Sequence, residues 1–164
     1  MTVENIKSTK VMNLEAAPSV VSDIAEYGNV LRSWEDTITT TGTTSTNGST
    51  YDLMPLPSTA RLRLLDILGV GSVDLPNMDV GLRHESGTPY DDDCIATALD
   101  IDDTGSHLAI SPAISTSDPT KMLWEYMDGV TSDPGGLIYI SLSLDADAVA
   151  AGVVKVRAEG STSA

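Results

Sequence analysis

Residues 137–144 read Leu-Ile-Tyr-Ile-Ser-Leu-Ser-Leu, and they alternate between apolar and polar side chains. The even-numbered positions carry Ile or Leu, whereas Tyr139, Ser141 and Ser143 fall between them. Successive side chains of a strand leave opposite faces of a sheet, so this alternation is typical of a half-buried antiparallel strand. The stretch therefore predicts a strand with one face toward a core and a polar face toward solvent.

Similar alternation recurs along the chain and points to one fold class. Residues 77–83 and 153–158 repeat it, and residues 30–40 carry a weaker form. In the polar stretch 39–50, Asn47-Gly48 predicts a tight turn within the sheet, because these residues tolerate positive φ angles. About six strands with few helical interruptions predict an all-β, mainly antiparallel fold, either a β-sandwich or jelly-roll-like, with one or two short helices.

For several segments, the choice between strand and helix is less direct. The leucines of 61–69 fit a helix, but we favour a strand with a bulge between Leu64 and Leu65. Residues 91–101 predict a helix, because aspartates precede Ile95, Ala98 and Leu99 on one helical face. Shorter helical turns are predicted at 19–27 and 122–127.

The domain organisation follows from these patterns. Residues 1–28 are predicted to form an extended N-terminal arm with a short helix, 29–160 a β-sandwich domain, and 161–164 a flexible tail. The first 18 residues keep neither a strand nor a helix period. Such a segment buries too little apolar surface to order itself alone, so we expect a surrounding structure to hold the arm.

Composition narrows the function classes. The 164 residues carry a formal net charge of −15, which argues against binding to nucleic acid, since phosphate neutralisation needs clustered Lys and Arg. No apolar run approaches the ~18 residues of a membrane helix, and the N-terminus lacks the pattern of a secretion signal. The single cysteine, Cys94, follows three aspartates that disfavour its thiolate, so we interpret it as a packing residue.

No residue constellation predicts catalysis, a cofactor or a metal centre. His84 and His107 are the two histidines, and neither has the spacing of a zinc ligand pair or the sequence context of a catalytic triad. Residues 100–105 resemble the start of a calcium loop, but Ser111 stands where such a loop needs glutamate. The aspartates 91–93 either cap a helix or assist a cation, and the sequence leaves both alternatives open. We therefore expect a protein that is not an enzyme.

The order of the segments supplies the remaining clue. A polar arm precedes a strand containing residues 34–37 (Trp-Glu-Asp-Thr), followed by the turn 53–62, the strand 79–82 (Asp-Val-Gly-Leu) and the acidic segment 91–101. Over residues 1–158, this order resembles a group of small virion structural proteins of tailed bacteriophages, the capsid decoration (cement) type.

The resemblance implies a protein without cofactor that binds the outer surface of the major capsid lattice and stabilises the head. It further implies a homo-oligomer, a trimer, located on the virion and present in the host cytoplasm during assembly. Alternatives are a head–tail or tail accessory protein, or a carbohydrate-binding β-sandwich module. Residues 51–57 predict an edge strand, because Pro55 and Pro57 cannot donate to a ladder. From the pattern of the chain, we expect the partner contacts to come from the arm and from this proline strand, at Val3, Ile6, Val11, Leu14, Leu53, Pro55 and Pro57. If the arm is the clamp, removal of residues 1–18 is expected to abolish binding and leave the domain folded.

Overall fold

The computed structural model describes residues 5–8, 11–12, 32–41, 47–102, 106–110, 120–145 and 150–162. These residues form an eight-stranded sheet and a 3-10 turn at Leu123–Tyr126. The strands are β1 Asn5–Lys7, β2 Arg32–Thr41, β3 Thr50–Pro57, β4 Arg61–His84, β5 Tyr90–Asp102, β6 Ser106–Ile110, β7 Leu137–Leu144 and β8 Ala150–Ser161. The all-β, mainly antiparallel prediction is confirmed, and so is the short helical turn near 122–127. No helix in the described ranges is long and apolar enough to cross a membrane.

Strand β4 organises the sheet because it is 24 residues long and pairs along its whole length. Its first part, Arg61–Val73, lies between β8 and β6, and its second part, Asp74–His84, lies between β7 and β5. The strands β7 and β8 thus follow each other along one side of β4, and β5 and β6 follow each other along the opposite side. Farther out, β2 pairs with β8 and β3 pairs with β7.

The sheet therefore divides into two half-sheets that meet along one line, and β4 crosses this line. The first half-sheet contains β2, β8, β6 and the first part of β4; the second contains β1, β3, β7, β5 and the second part of β4. Along this line, Gly48 N donates to Leu144 O (2.8 Å), and Asp145 N donates to Asn77 O (3.1 Å). The predicted Asn47-Gly48 turn lies on this line, with Gly48 at a φ of 86°.

Both half-sheets bury their apolar faces in one shared core, and the sheet closes almost into a barrel. The first half-sheet contributes Trp34, Ile67 and Val156, and the second contributes Leu53 and Ile140. Burial of apolar side chains on this scale is the main favourable term in folding, so this shared core stabilises the closure of the sheet.

The predicted helix at 91–101 is wrong, because these residues lie in strand β5. Residues 90–102 pair antiparallel with β4, with register shifts that include the step from Ala96 opposite Val80 to Asp91 opposite Leu82. These irregularities, together with a positive φ of 55° at Ala98, break the period-two pattern and produce a spacing that mimics a helix. Pairing with a distant strand overrides the local propensity here.

The strand prediction for 61–69 is confirmed, and the strand contains a bulge, although not at the predicted position. The register against β8 shifts between Leu62 and Leu64, two residues before the expected position, which leaves Arg63 exposed. The extra residue at this point brings both Leu62 and Leu65 into the core.

Strand β7 is confirmed at 137–144, but the prediction of a solvent-facing polar side is wrong. Tyr139, Ser141 and Ser143 are all buried, so both faces of β7 are covered. Strand β5 provides part of this cover. A Cβ built on Gly81, which lies opposite Ser141, meets the backbone oxygen of Asp91 at 2.0 Å.

Part of the arm belongs to the sheet. Strand β1 pairs in parallel with β3, from Asn5 opposite Thr50 to Lys7 opposite Asp52. The predicted helical turn at 19–27 lies outside the described residues. At the other end, the predicted tail begins within β8, where Ser161 pairs with Arg61, and Thr162 is buried.

Candidate functional site

The inner edges of β2 and β3 meet at a seam that is held by Asp36. The alternation of β2 turns Trp34, Asp36 and Ile38 inward, and Asp36 is only 7% exposed. Its Oδ2 accepts hydrogen bonds from Ser8 Oγ (2.5 Å) and Met54 N (2.7 Å), and its Oδ1 accepts one from Thr37 N (2.9 Å). One carboxylate therefore joins the arm, β2 and β3.

The local structure of β3 explains why Met54 needs this partner. The register between β3 and β7 shifts between Leu53 and Leu56, and Met54 adopts a φ of 47°. The register shift takes Met54 out of the pairing with β7, and Pro55 has no N–H to donate to the ladder. The carboxylate of Asp36 supplies the acceptor that the ladder does not.

Ser8 fixes the arm at the seam. Its N donates to Asp52 O (2.9 Å), and its Oγ also accepts a hydrogen bond from Val11 N (3.3 Å). Ser8 and Val11 are both buried. The arm therefore packs as part of the domain, and we now expect its removal to destabilise the fold, contrary to the expectation from sequence.

The structure places the predicted contact residues in three groups. Val11 and Leu53 are fully buried, so their side chains contact this chain's own interior and are not available to a partner in this conformation. Ile6, Pro55 and Pro57 are half-buried. Val3 and Leu14 lie outside the described residues. The edge-strand prediction for 51–57 also needs correction, because β3 lies between β7 and β1 at 50–52.

The outer face of the first half-sheet, called the open face below, exposes side chains of β2 and β8. A groove of about 250 Å³ runs across it, and it includes two cross-strand rows. In one row, Arg157 lies between Glu35 and Asp66; in the other, Lys155 lies between Thr37 and Leu68. Arg157 Nη2 forms an ion pair with Asp66 Oδ2 at 3.5 Å.

Aspartates gather where β5 crosses β4. Carboxylate oxygens of Asp91, Asp92 and Asp93 lie within 4.8 Å of one another. Asp91 Oδ2 accepts a hydrogen bond from Asp128 N at 2.6 Å. A hydrogen bond between the side chains of Asp93 and Asp91 is the main reason why the pKa of Asp93 lies above its ordinary value. These three aspartates are the residues in the described ranges that group as possible metal ligands.

Asp79 of β4 extends this acidic cluster. Partial burial raises the pKa of Asp79, and the neighbouring carboxylates of Asp145 and Asp92 raise it further, against the lowering effect of the hydrogen bond from Ala98 N. The distance from Ala98 N to Asp79 Oδ1 is 2.9 Å. The cluster therefore carries negative charges that repel one another.

Cys94 lies beside the acidic cluster, half-buried and without a disulfide. Burial raises the pKa of its thiol well above the usual range, and the charge of Asp91 raises it further. Because the thiolate is the reactive form, we expect alkylation by iodoacetamide at pH 8 to be at least about tenfold slower in the folded protein than in urea. Mass spectrometry of timed samples measures both rates, and equal rates would contradict this assignment.

His84 belongs to the turn that joins β4 to β5. Its Nδ1 lies 2.7 Å from Ser86 Oγ, and its Nε2 lies 3.1 Å from Gly135 O. Ser86 Oγ donates to Thr88 O at 2.7 Å, so the hydroxyl is engaged in closing the turn. The other histidine, His107, is opposite Ile67 in β6, in the other half-sheet.

Sequence reasoning did not single out Asp36 or the ion pair of Asp52 with Arg83. Arg83 Nη1 lies 3.0 Å from Asp52 Oδ2 on the outer face of the second half-sheet, and its guanidinium stacks over Tyr90. For Asp36 the sequence did contain a signal, because the alternation of β2 places this residue on the same side of the strand as Trp34 and Ile38. A carboxylate in that phase indicates an internal hydrogen-bond partner.

Comparison with known proteins adds no relative to this picture. Searches against protein-family models, curated proteins and solved structures gave no match.

Proposed function

We propose that this chain is a non-enzymatic virion protein of a tailed bacteriophage, of the capsid decoration type, that binds the major capsid protein. The proposal rests on the order of segments described above and on the resemblance it carries. The all-β body supports it, because a nearly closed sheet with an arm packed into it suits a protein that acts by adhesion.

The observation that carries the proposal furthest is the open outer face of the first half-sheet. Here Glu35, Thr37, Lys155 and Arg157 are exposed, and Leu68 is half-buried. This face carries charges of both signs around the apolar side chain of Leu68. Such a surface suits a specific protein contact, since charge complementarity sets the orientation and register of the two partners. We assign the capsid contact to this face rather than to the buried Val11 and Leu53.

The groove on this face favours a protein partner over a carbohydrate. Sugar-binding surfaces of β-sandwich modules use aromatic side chains as platforms, whereas the residues that line this groove are Glu35, Asp36, Thr37, Asp66, Leu68, Lys155, Val156 and Arg157. The groove contributes no ring for stacking. A head–tail or tail position remains the second candidate within the same class of virion proteins.

The test is binding of the purified chain to phage heads that lack it. We expect saturable binding, with density on the outer capsid surface in a particle reconstruction. The variant Lys155→Glu reverses one exposed charge on the open face and is expected to weaken binding about tenfold. Lys121→Glu makes the same charge change outside this face and serves as the matched control.

Binding to tails or to the portal vertex instead of the capsid surface would favour the accessory-protein alternative. Equal affinities of Lys155→Glu and Lys121→Glu for the heads would show that the open face is not part of the contact. Absence of binding to any part of the particle would overturn the proposed function.

A further inference from the structure

We propose that the acidic cluster at the crossing of β4 and β5 is a binding site for a hard divalent cation, of which Ca²⁺ is the best fit. The proposed ligands are Asp91, Asp92 and Asp93 of β5, together with Asp79 of β4 and Ser143, which lies opposite Asp79 in β7. This inference is independent of the proposed capsid function.

The first argument is the concentration of carboxylates in one place. Oxygens of the three consecutive aspartates of β5 approach within 4.8 Å of one another, which is compatible with a shared ion. Asp79 lies on the neighbouring strand β4, and its Oδ1 accepts a hydrogen bond from Ala98 N of β5 at 2.9 Å. Like charges at such separations repel, and a bound cation relieves the repulsion.

The second argument is independent of the carboxylates and comes from strand β7. Ser143 lies directly opposite Asp79 in the antiparallel pair, so the two side chains are neighbours on the same face of the sheet. Ser143 is 5% exposed, and its Oγ has no hydrogen-bond partner. A buried hydroxyl without a partner is costly and calls for an explanation.

Ser141 repeats the observation two residues earlier. It is fully buried, its Oγ also has no hydrogen-bond partner, and it lies opposite Gly81, where the Asp91–Asp92 backbone packs against the sheet. Two buried hydroxyls of β7 that lack partners therefore lie opposite residues 79 and 81 of β4, where β5 contacts the sheet.

The donor set decides the class of ligand. All of its members are oxygens, from carboxylates and a hydroxyl, and none is a thiolate or an imidazole. Ca²⁺ accepts six to eight oxygen ligands in flexible geometry, which suits a site formed partly at the surface. Water molecules would complete its coordination.

The experiment measures thermal unfolding of the full chain with 10 mM CaCl₂ and with NaCl at equal ionic strength. For a dissociation constant near 10⁻³ M, as in extracellular calcium modules, we expect Ca²⁺ to raise Tm by about 3–6 °C beyond the effect of NaCl. Titration calorimetry with CaCl₂ alone gives the affinity directly.

Two variants and one control locate the site. Asp92→Asn removes a ligand charge and is expected to weaken Ca²⁺ binding at least tenfold. Ser143→Ala is expected to leave stability without Ca²⁺ unchanged or higher, since it removes an unpartnered hydroxyl, and to weaken Ca²⁺ binding several-fold. Asp100→Asn makes the same charge change as Asp92→Asn at an exposed position of the same strand and is expected to bind Ca²⁺ like the wild type.

A Ca²⁺ effect no larger than that of NaCl means charge screening alone and overturns the proposal. Equal Ca²⁺ affinities for Asp92→Asn and Asp100→Asn overturn it as well, because the ion would then bind elsewhere. Unchanged affinity in Ser143→Ala overturns the assignment of the buried hydroxyl to the site.

Discussion

Replacement of Asp36 by alanine is expected to lower the free energy of unfolding by about 3–4 kcal/mol, the largest effect we predict for a single side chain. The substitution leaves Met54 N and Ser8 Oγ without their acceptor at the seam. Hydrogen bonds to a charged group contribute about 1.5–3 kcal/mol each, and a buried N–H without a partner bears its full desolvation penalty. Equilibrium unfolding in urea measures the loss.

The neighbours of Asp36 in β2 provide matched controls. Glu35 and Thr37 are exposed on the opposite face of the strand, so Glu35→Ala and Thr37→Ala are expected to change stability by no more than about 0.5 kcal/mol. Asp36→Ala is also expected to release the arm, and trypsin cleavage after Lys7 reports that release. A loss below about 1 kcal/mol for Asp36→Ala would show that the seam does not depend on this carboxylate.

Substitution of Gly81 by alanine is expected to destabilise the domain by about 2–3 kcal/mol through overpacking. A Cβ at this position lies 2.0 Å from Asp91 O and 2.4 Å from Asp92 C. Both contacts are with backbone, which cannot rotate away as a flexible side chain does. Strand β5 must therefore move off β4, and the buried hydroxyl of Ser141 opposite Gly81 is disturbed as well.

Gly87→Ala separates this steric effect from the conformational cost of losing a glycine. Gly87 has a φ of 88°, and a Cβ there meets no atom within 4 Å. Its substitution costs only the left-handed backbone conformation, roughly 1 kcal/mol. Urea unfolding of the two variants compares them, and a smaller loss at Gly81 than at Gly87 would contradict the close approach of β5.

The candidate site was only partly predictable from the sequence. The aspartates at 91–93 were noted as possible cation ligands, but Asp79 and Ser143 join them only through the pairing of β4 with β5 and β7. Asp36 was visible as a polar residue in the inward phase of β2, yet its partners Ser8 and Met54 lie 28 and 18 residues away in the chain. No local pattern specifies contacts at such separations.

Local sequence patterns by themselves determined the fold class, the strand at 137–144, the strand at 61–69 and the turn at Asn47-Gly48. In each case the physical cause is short-range: side chains alternate across a strand, and glycine tolerates a positive φ. Only the tertiary structure decided that 91–101 is a strand, that the polar face of β7 is buried and that the arm closes the seam. Those outcomes depend on which distant segments cover a face or an edge, and a half-buried pattern is the same whether solvent or another strand lies over its polar side.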